Sequence, residues 1–453
     1  MNIAKNTIKE YLPVPKGALI LGENQYRSRD GLKTQLNNHV LVVGTSGAGK
    51  TRYIVQPNLL QATGSYVVSD PKGNLYKKMG PYLRKKGYEV VAMDFIHPEE
   101  SLRYNPLAYC KTTQDIQKLA HTLVYELKEG AGRAQDPFWD EATQLLLMAL
   151  IGFIQETDTI RPEDKNLNML PRLVRLATRT KGGTGDINGI SPMDEIMKRH
   201  LEKMEAKGMK SWACERYEEF NTAPNRTHAT INVTTIAKLI TFGTEEVRTF
   251  LATNDLDFKK IGQKKTAVFV QVSDTDRSMD VLVNLFYTQL MNELCSYADE
   301  ECENSCLPVE VQFILDDFAT NARIDNFENM ISNIRSRGIS AMLMIQSEAQ
   351  LKAGYGENAQ TIIDNCNTYV YMGGMNPGMA EVIAMRANKP ATQILNMPIS
   401  HSWIFRRGEK PVMCHNFDLE WFENEVGFKP VCSKTKPQKR KTKQVKDFEL
   451  EQV

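Results

Sequence analysis

The run HVLVVGTSGAGKTRYIVQPNLLQ, residues 39–61, constrains this chain more than any other. An apolar strand, a glycine-rich turn and an amphipathic helix follow one another there, with the spacing G-x-x-x-x-G-K-[ST] from Gly44 to Thr51. Glycine lets backbone N–H groups turn inward around phosphates, and the helix start adds positive dipole. Gly44, Thr45, Ser46, Gly47, Ala48, Gly49, Lys50, Thr51 and Arg52 form the expected nucleotide cradle. Lys50 is expected to reach the β- and γ-phosphates and Thr51 to hold magnesium. Pro57 is expected to kink or end the helix.

Such a loop needs an acid at the end of a neighbouring strand. VEVQFILDD, residues 309–317, is the best candidate, with Asp316 on the metal side and Asp317 where a water-polarising base would stand. The alternative is a strand-end pair capping a turn. Asp70, Asp94 and Asp274 also end apolar runs and are rivals. After Asp316 comes a helix with Arg335 and Arg337, then the strand SAMLMIQS carrying Gln346. Gln346 is placed to sense a γ-phosphate. Arg335 is either a finger toward a neighbouring subunit's nucleotide or, like Arg337, a solvated helix end favoured by the dipole.

Short apolar runs recur at 39–44, 65–70, 88–94, 266–273, 309–316, 340–346, 368–373 and 411–416, most followed by a helical pattern. That alternation predicts an α/β fold with a mostly parallel central sheet. Between about Asp136 and Lys260 no strand pattern occurs, and helical patterns such as FWDEATQLLLMALIGFIQE dominate. The expected organisation is an N-terminal segment (1–35), a nucleotide-binding domain in two parts (36–135 and 263–432), an inserted all-alpha domain (136–262) and a basic, disordered tail (433–453). Gly182–Gly189 reads as a loop inside the insert.

Net charge is +1, yet residues 433–453 hold seven Lys/Arg against three Asp/Glu, so the remainder is about −3. No global field attracts nucleic acid; local patches or the tail would have to do so. Lys77, Lys78, Arg84, Lys85 and Lys86 are the candidate patch. No apolar run approaches the ~20 residues of a membrane span, which predicts a cytoplasmic protein. Cys295, Cys302 and Cys306 lack zinc-site spacing and read as reduced thiols.

The motifs NNHVLVVGTSGAGKTRY, SYVVSDPKGNLY, RYNPL, DPFWDEAT, KTAVFVQVSDTDR, FILDDFAT, NFENMISNIRSRGISAMLMIQS, TIIDNCNTYVYMGG and WIFRRGEKPV, in this order over residues 36–415, resemble the TraG-like coupling ATPases of type IV secretion and conjugation. The resemblance implies a RecA-like P-loop domain with an all-alpha insert, ATP and magnesium as cofactors, and a homo-hexamer when active. It implies as partners a relaxase or relaxosome, single-stranded or duplex DNA, and type IV secretion channel components, met at the inner face of the cell membrane. By position it makes Lys50, Asp316, Asp317, Arg335 and Gln346 catalytic, Thr51 and Asp316 magnesium ligands, and brings Asp70 and Lys72 near the site. Two departures stand out. Asp317 replaces the family's usual Glu, which puts the hydrolysis rate in question. No membrane-spanning helices precede the P-loop strand. The competing readings are an FtsK- or HerA-like DNA translocase, which lacks a helical insert at this place, and a nucleotide-gated receptor that hydrolyses little.

Overall fold

The computed structural model describes residues 11–126, 137–178, 190–223, 225–318 and 324–429. The expected loop at 182–189 and the tail from 433 lie outside them. The described residues fall into two compact units, one holding 11–93, 258–274, 294–318 and 324–429, the other 94–126, 137–178, 190–223, 225–257 and 275–293.

The first unit is built on a nine-stranded sheet. A hairpin of β1 (Leu19–Gly22) and β2 (Gln25–Arg27) precedes it. The sheet strands are β3 (Val40–Val43), β4 (Ser65–Ser69), β5 (Glu89–Asp94), β6 (Thr266–Gln271), β7 (Val311–Leu315), β8 (Ile339–Ile345), β9 (Thr368–Tyr371), β10 (His401–Arg406) and β11 (Val412–His415). Their order is β11-β10-β9-β3-β8-β7-β4-β6-β5. Pairings from β9 to β6 are parallel, whereas β10 runs antiparallel to both β9 and β11. The mostly parallel α/β sheet thus stands as the sequence pattern predicts. VLVV and VQFIL are buried at every position, as strands covered on both faces must be.

Three strands escape the sequence reading. β1 lies in the segment before residue 36 and buries Leu19, Ile20 and Leu21 completely. Asn58, fully buried, ties β1 to the helix after the phosphate loop: its amide nitrogen donates to the carbonyls of Ile20 and Ile54, and its oxygen accepts from Ile20 N–H. Pro57 does not end that helix. The turn before it is widened, so that Gln56 N–H bonds to Thr51 C=O, and the π-type turn absorbs the missing donor.

The acidic strand is also not the neighbour of β3: β8 lies between them. With strands about 4.8 Å apart, β7 is about 10 Å from β3, and β4, β6 and β5 are about 14, 19 and 24 Å away. The chain leaves β3 toward β4 on one side and returns on the other as β9, so the strand order switches at β3. Open α/β sheets bind ligands beyond the carboxyl ends of their strands at such a point.

The second unit is helical, with no strand among its described residues beyond Asp94. Its centre is the helix Pro137–Glu156, apolar almost all round and packed by Thr113–Glu126, Trp212–Asn221 and Asn225–Lys238. Gly152 lets Trp212 and Ala213 approach; a Cβ there would stand 3.1 Å from the Trp212 ring. Asp140 of the FWDEAT motif accepts from Lys238 Nζ at 3.1 Å, and Lys238 also donates to Val124 C=O. Glu156 accepts from His200 Nε2, Ser211 Oγ and Ala213 N–H, which joins three helices. This unit extends beyond the expected insert of 136–262. Its core needs flanking segments: Tyr104 donates to Gln289 Oε1 at 2.6 Å, and Phe95 packs on Phe286. Absence of strands marks where the sheet stops, not where the helical core begins. No helix of the described residues is long and apolar enough to cross a membrane.

Candidate nucleotide site

β3 ends at Val43, and the chain turns through Gly44–Lys50 into the helix. Gly47 and Gly49 take φ of 81° and 89°, which side chains with a Cβ rarely adopt. A Cβ on Gly49 would also collide with the Tyr53 ring at 2.4 Å, and one on Gly44 would meet Met372 Cβ at 2.9 Å. Open space surrounds Gly47 instead. The loop is therefore a cradle shaped by glycine, with its apex toward solvent.

β8 joins this cradle to the acids. Gly44 N–H bonds to Ile345 C=O at 3.2 Å on one side of β8, and Phe318 N–H bonds to Met344 C=O at 2.9 Å on the other. Gln346 follows directly and is half-buried between them. From the helix, Thr51 Oγ1 donates to Asp316 Oδ2 at 2.5 Å. Ser69, at the end of β4, donates to Asp316 C=O at 3.2 Å and holds the turn from behind. Nothing in the sequence singles out Ser69, because its role depends on β4 lying beside β7.

Lys50 is buried, and its Nζ donates to Gly44 C=O at 2.7 Å. Burial pushes its ammonium below the ordinary lysine range, while the charges of Asp317 and Asp316 oppose that shift. Burial raises the Asp316 carboxyl, and Asp317 adds to the rise; the Thr51 hydroxyl and Lys50 counter it. Asp317 sits in the left-handed region at φ 52°, its N–H bonded to Asp316 Oδ1. Aspartate tolerates this conformation better than most residues. The turn is anchored by Phe318, which packs against Phe327 and stacks on Tyr355.

The rival acids take other places. Both oxygens of Asp70 cap the helix Asn74–Lys85, accepting from Leu75 N–H at 3.2 Å and Tyr76 N–H at 2.8 Å. Asp94 likewise accepts from Ile96 and His97 N–H, and Asp274 is exposed beyond β6. Lys72 is exposed on the turn after β4. Arg52 points to Glu420 at 2.7 Å on the surface.

Arg335 is not brought to the loop. It precedes β8, whereas Gln346 follows it, so the two stand at opposite ends of that strand, about 20 Å apart for seven residues. Arg335 is exposed there beside Gly31. Arg337, by contrast, forks onto Asp299, with Nη2 2.7 Å from Oδ2. His39, at the start of β3, is buried and accepts Ala341 N–H through Nδ1 at 3.0 Å, stitching β3 to β8. Of the basic patch, Lys78 pairs with Glu423 and Arg84 lies over Tyr76, while Lys77, Lys85 and Lys86 are exposed.

A glycine cradle, a buried lysine and a threonine–aspartate pair on a mostly parallel sheet define a P-loop nucleotide-binding protein. The sequence profile of the type IV secretory system conjugative DNA transfer family matches residues 2–387, and the chain belongs to that family. VirD4 of Rhizobium rhizogenes is 23% identical over 342 residues, 74% of this chain and 47% of that protein. VirD4 of Rhizobium radiobacter is 24% identical over 344 residues, 74% and 46% of the two chains. The chain thus spans about half the length of the curated relatives it matches. Among solved structures, the bacterial conjugative coupling protein TrwBdeltaN70 in complex with sulphate superposes with a TM-score of 0.62 at 15% identity, covering 90% of each chain. Plasmid coupling protein TrwB gives 0.61 both with the non-hydrolysable ATP analogue ADPNP and with ADP and Mg2+, again at 15% identity and 90% coverage. These likenesses establish the RecA-like fold.

Proposed function

We propose that this chain is an ATP-dependent coupling protein that brings relaxosome DNA and its bound protein to a type IV secretion channel and drives their transfer in conjugation. The observation that carries the ATPase part is the 2.5 Å contact between Thr51 of the loop and Asp316 of β7, two strands away. Family membership carries the coupling part. In the sheet-based unit, Gly44–Thr51 cradle the phosphates of ATP, and Lys50 neutralises the β- and γ-oxygens. Thr51 and Asp316 offer the hard oxygen donors that suit magnesium. Magnesium, when bound, supplies charge neutralisation on the transferring phosphoryl group. Asp317 accepts the proton of the attacking water, and Gln346 registers the γ-phosphate from the end of β8. Arg335 serves the nucleotide of a neighbouring copy in a hexamer, since its own loop is at the far ends of the strands.

A second reading is favoured by Asp317 alone. The acid is one methylene shorter than Glu and is held at a left-handed φ of 52°. A misplacement of about 1 Å costs on the order of a hundredfold in rate, so this site would bind ATP and gate cargo while turning over slowly. Measuring ATP turnover for the wild type, Asp317→Glu and Lys50→Ala, with and without single-stranded DNA, separates the two. A motor exceeds Lys50→Ala clearly and responds to DNA; a gate stays near it until Asp317→Glu is made.

A further inference from the structure

Two histidines stand opposite each other on the outer pair of strands, away from the nucleotide site. The register of β10 against β11 pairs His401 with His415. Asn416 N–H bonds to Ser400 C=O at 2.7 Å, which makes residues 400 and 416 a hydrogen-bonded pair of the ladder. The next pair along, His401 and His415, is therefore a non-hydrogen-bonded one, the kind that holds its side chains closest. Their ring centroids lie 4.0 Å apart with 42° between the planes, and neither residue is buried.

The pair is held in place from several directions. Ser402 Oγ donates to Asn416 Oδ1 at 2.6 Å, His401 N–H bonds to Pro398 C=O at 3.0 Å, and Glu23 N–H bonds to His415 C=O at 2.9 Å. Ser400 Oγ lies 3.3 Å from His401 Nδ1. When that oxygen accepts from Nδ1–H, the ring's lone pair is left on Nε2, the arrangement that outer-sphere partners impose on metal-binding histidines. Burial and the neighbouring imidazole push His401 below the ordinary histidine range, with the Glu23 carboxylate opposing them, and the neutral ring is the form that ligates. Cys414 takes no part: its side chain points to the other face of β11, where a Cβ on Gly22 would meet its Sγ at 2.5 Å.

We propose that His401 and His415 form a two-imidazole binding site for a divalent transition-metal ion of the zinc and nickel class. Two metal–nitrogen bonds of about 2.1 Å set the ligating atoms about 3 Å apart, a separation that two rings with centroids 4.0 Å apart can meet. Imidazole suits these metals, whereas magnesium prefers oxygen. Among the described residues no group of three or more His, Cys, Asp or Glu side chains forms a metal cage, so water completes the shell and the ion exchanges. β10 lies two strands from β3 on the side away from β7, so this ion shares no ligand with Thr51 and Asp316. Once bound, it clamps the edge strand β11 onto β10.

The test titrates the untagged full chain with Ni2+ and with Zn2+ at pH 7.5 by calorimetry, without nucleotide. His401→Ala and His415→Ala should each weaken the binding of one ion per chain at least about tenfold. They keep every cysteine of the wild type, so thiol binding cancels in the comparison. Either metal should raise the Tm of the wild type by at least about 2 °C relative to EDTA and that of the variants by less. Mg2+ should produce no such difference. Melts in EDTA read the ring contact by itself, and His415→Gln serves if an Ala variant does not fold. Wild type and variants that bind Ni2+ and Zn2+ alike, with equal shifts in Tm, would leave His401 and His415 as a cross-strand ring pair only and overturn the proposal.

Discussion

Thr51 and Asp316 lie 265 residues apart in sequence and 2.5 Å apart in the fold, hydroxyl to carboxylate. β8 occupies the space between their strands, and the helix after the loop swings Thr51 across it to reach the acid. In the proposed function this pair holds the magnesium. Asp316→Asn keeps the hydrogen-bond geometry but removes the charge. It should weaken magnesium-supported nucleotide binding by about ten- to a hundredfold, while binding measured in excess EDTA stays close to that of the wild type. Equal losses with and without the metal would show that Asp316 acts on the fold instead.

At Asp317 effects on stability and on turnover are expected to part. Asp317→Gly relieves a left-handed backbone and should stabilise the unit or leave it unchanged, within about 1 kcal/mol. It should also lower turnover toward the Lys50→Ala level. Asp317→Glu should raise turnover if reach to the attacking water is limiting. Thermal melts and steady-state rates on the same preparations decide this.

Asp70 holds the start of the helix Asn74–Lys85 through Leu75 and Tyr76 N–H, and it is expected to take no part in the reaction. Asp70→Ala should cost about 1–2 kcal/mol, seen as a Tm lower by about 2–8 °C. Nucleotide affinity per folded molecule should be unchanged. A selective loss of affinity without a lower Tm would place Asp70 in the site.

His39 gives a pH signature. Burial, aided by Arg27 and Arg335, pushes its imidazole down to about 4, against about 6.5 for a free histidine. Between those values the unfolded chain binds the proton and the folded chain does not. Stability is therefore whole above about pH 6.5 and falls as pH drops toward 4, by on the order of 3 kcal/mol at 1.36 kcal/mol per unit. His39→Asn, which still accepts from Ala341 N–H, should lose that part of the slope. Parallel denaturation curves of the two proteins from pH 7 to pH 4.5 would contradict the assignment.

The phosphate loop, the acidic strand and the parallel sheet are legible in the sequence because each is local: a glycine spacing, an apolar run, a strand–helix rhythm. The sequence already favours Asp316 over Asp70, Asp94 and Asp274, but how far each strand lies from β3 and what each acid bonds to are set by the strand order and the fold. β1, β2 and β10 escape notice because LILG and QYR are too short to show a period, and the alternation in HSWIFR is weak. The helical unit is larger than its strandless stretch because helix Pro137–Glu156 packs on Thr113–Glu126 before that stretch, while Tyr104 and Phe95 pair with Gln289 and Phe286 after it. Arg335 and Arg337 look alike in sequence, and Asp299, brought near by the fold, tells them apart.

The Lys50 cradle is proposed to hydrolyse ATP in the service of DNA transfer. Steady-state ATP turnover of the full chain with magnesium, with and without single-stranded DNA, tests it against Lys50→Ala. The predicted result is turnover that Lys50→Ala abolishes and that DNA raises severalfold in the wild type only. Wild-type turnover no higher than that of Lys50→Ala, with and without DNA, would contradict it.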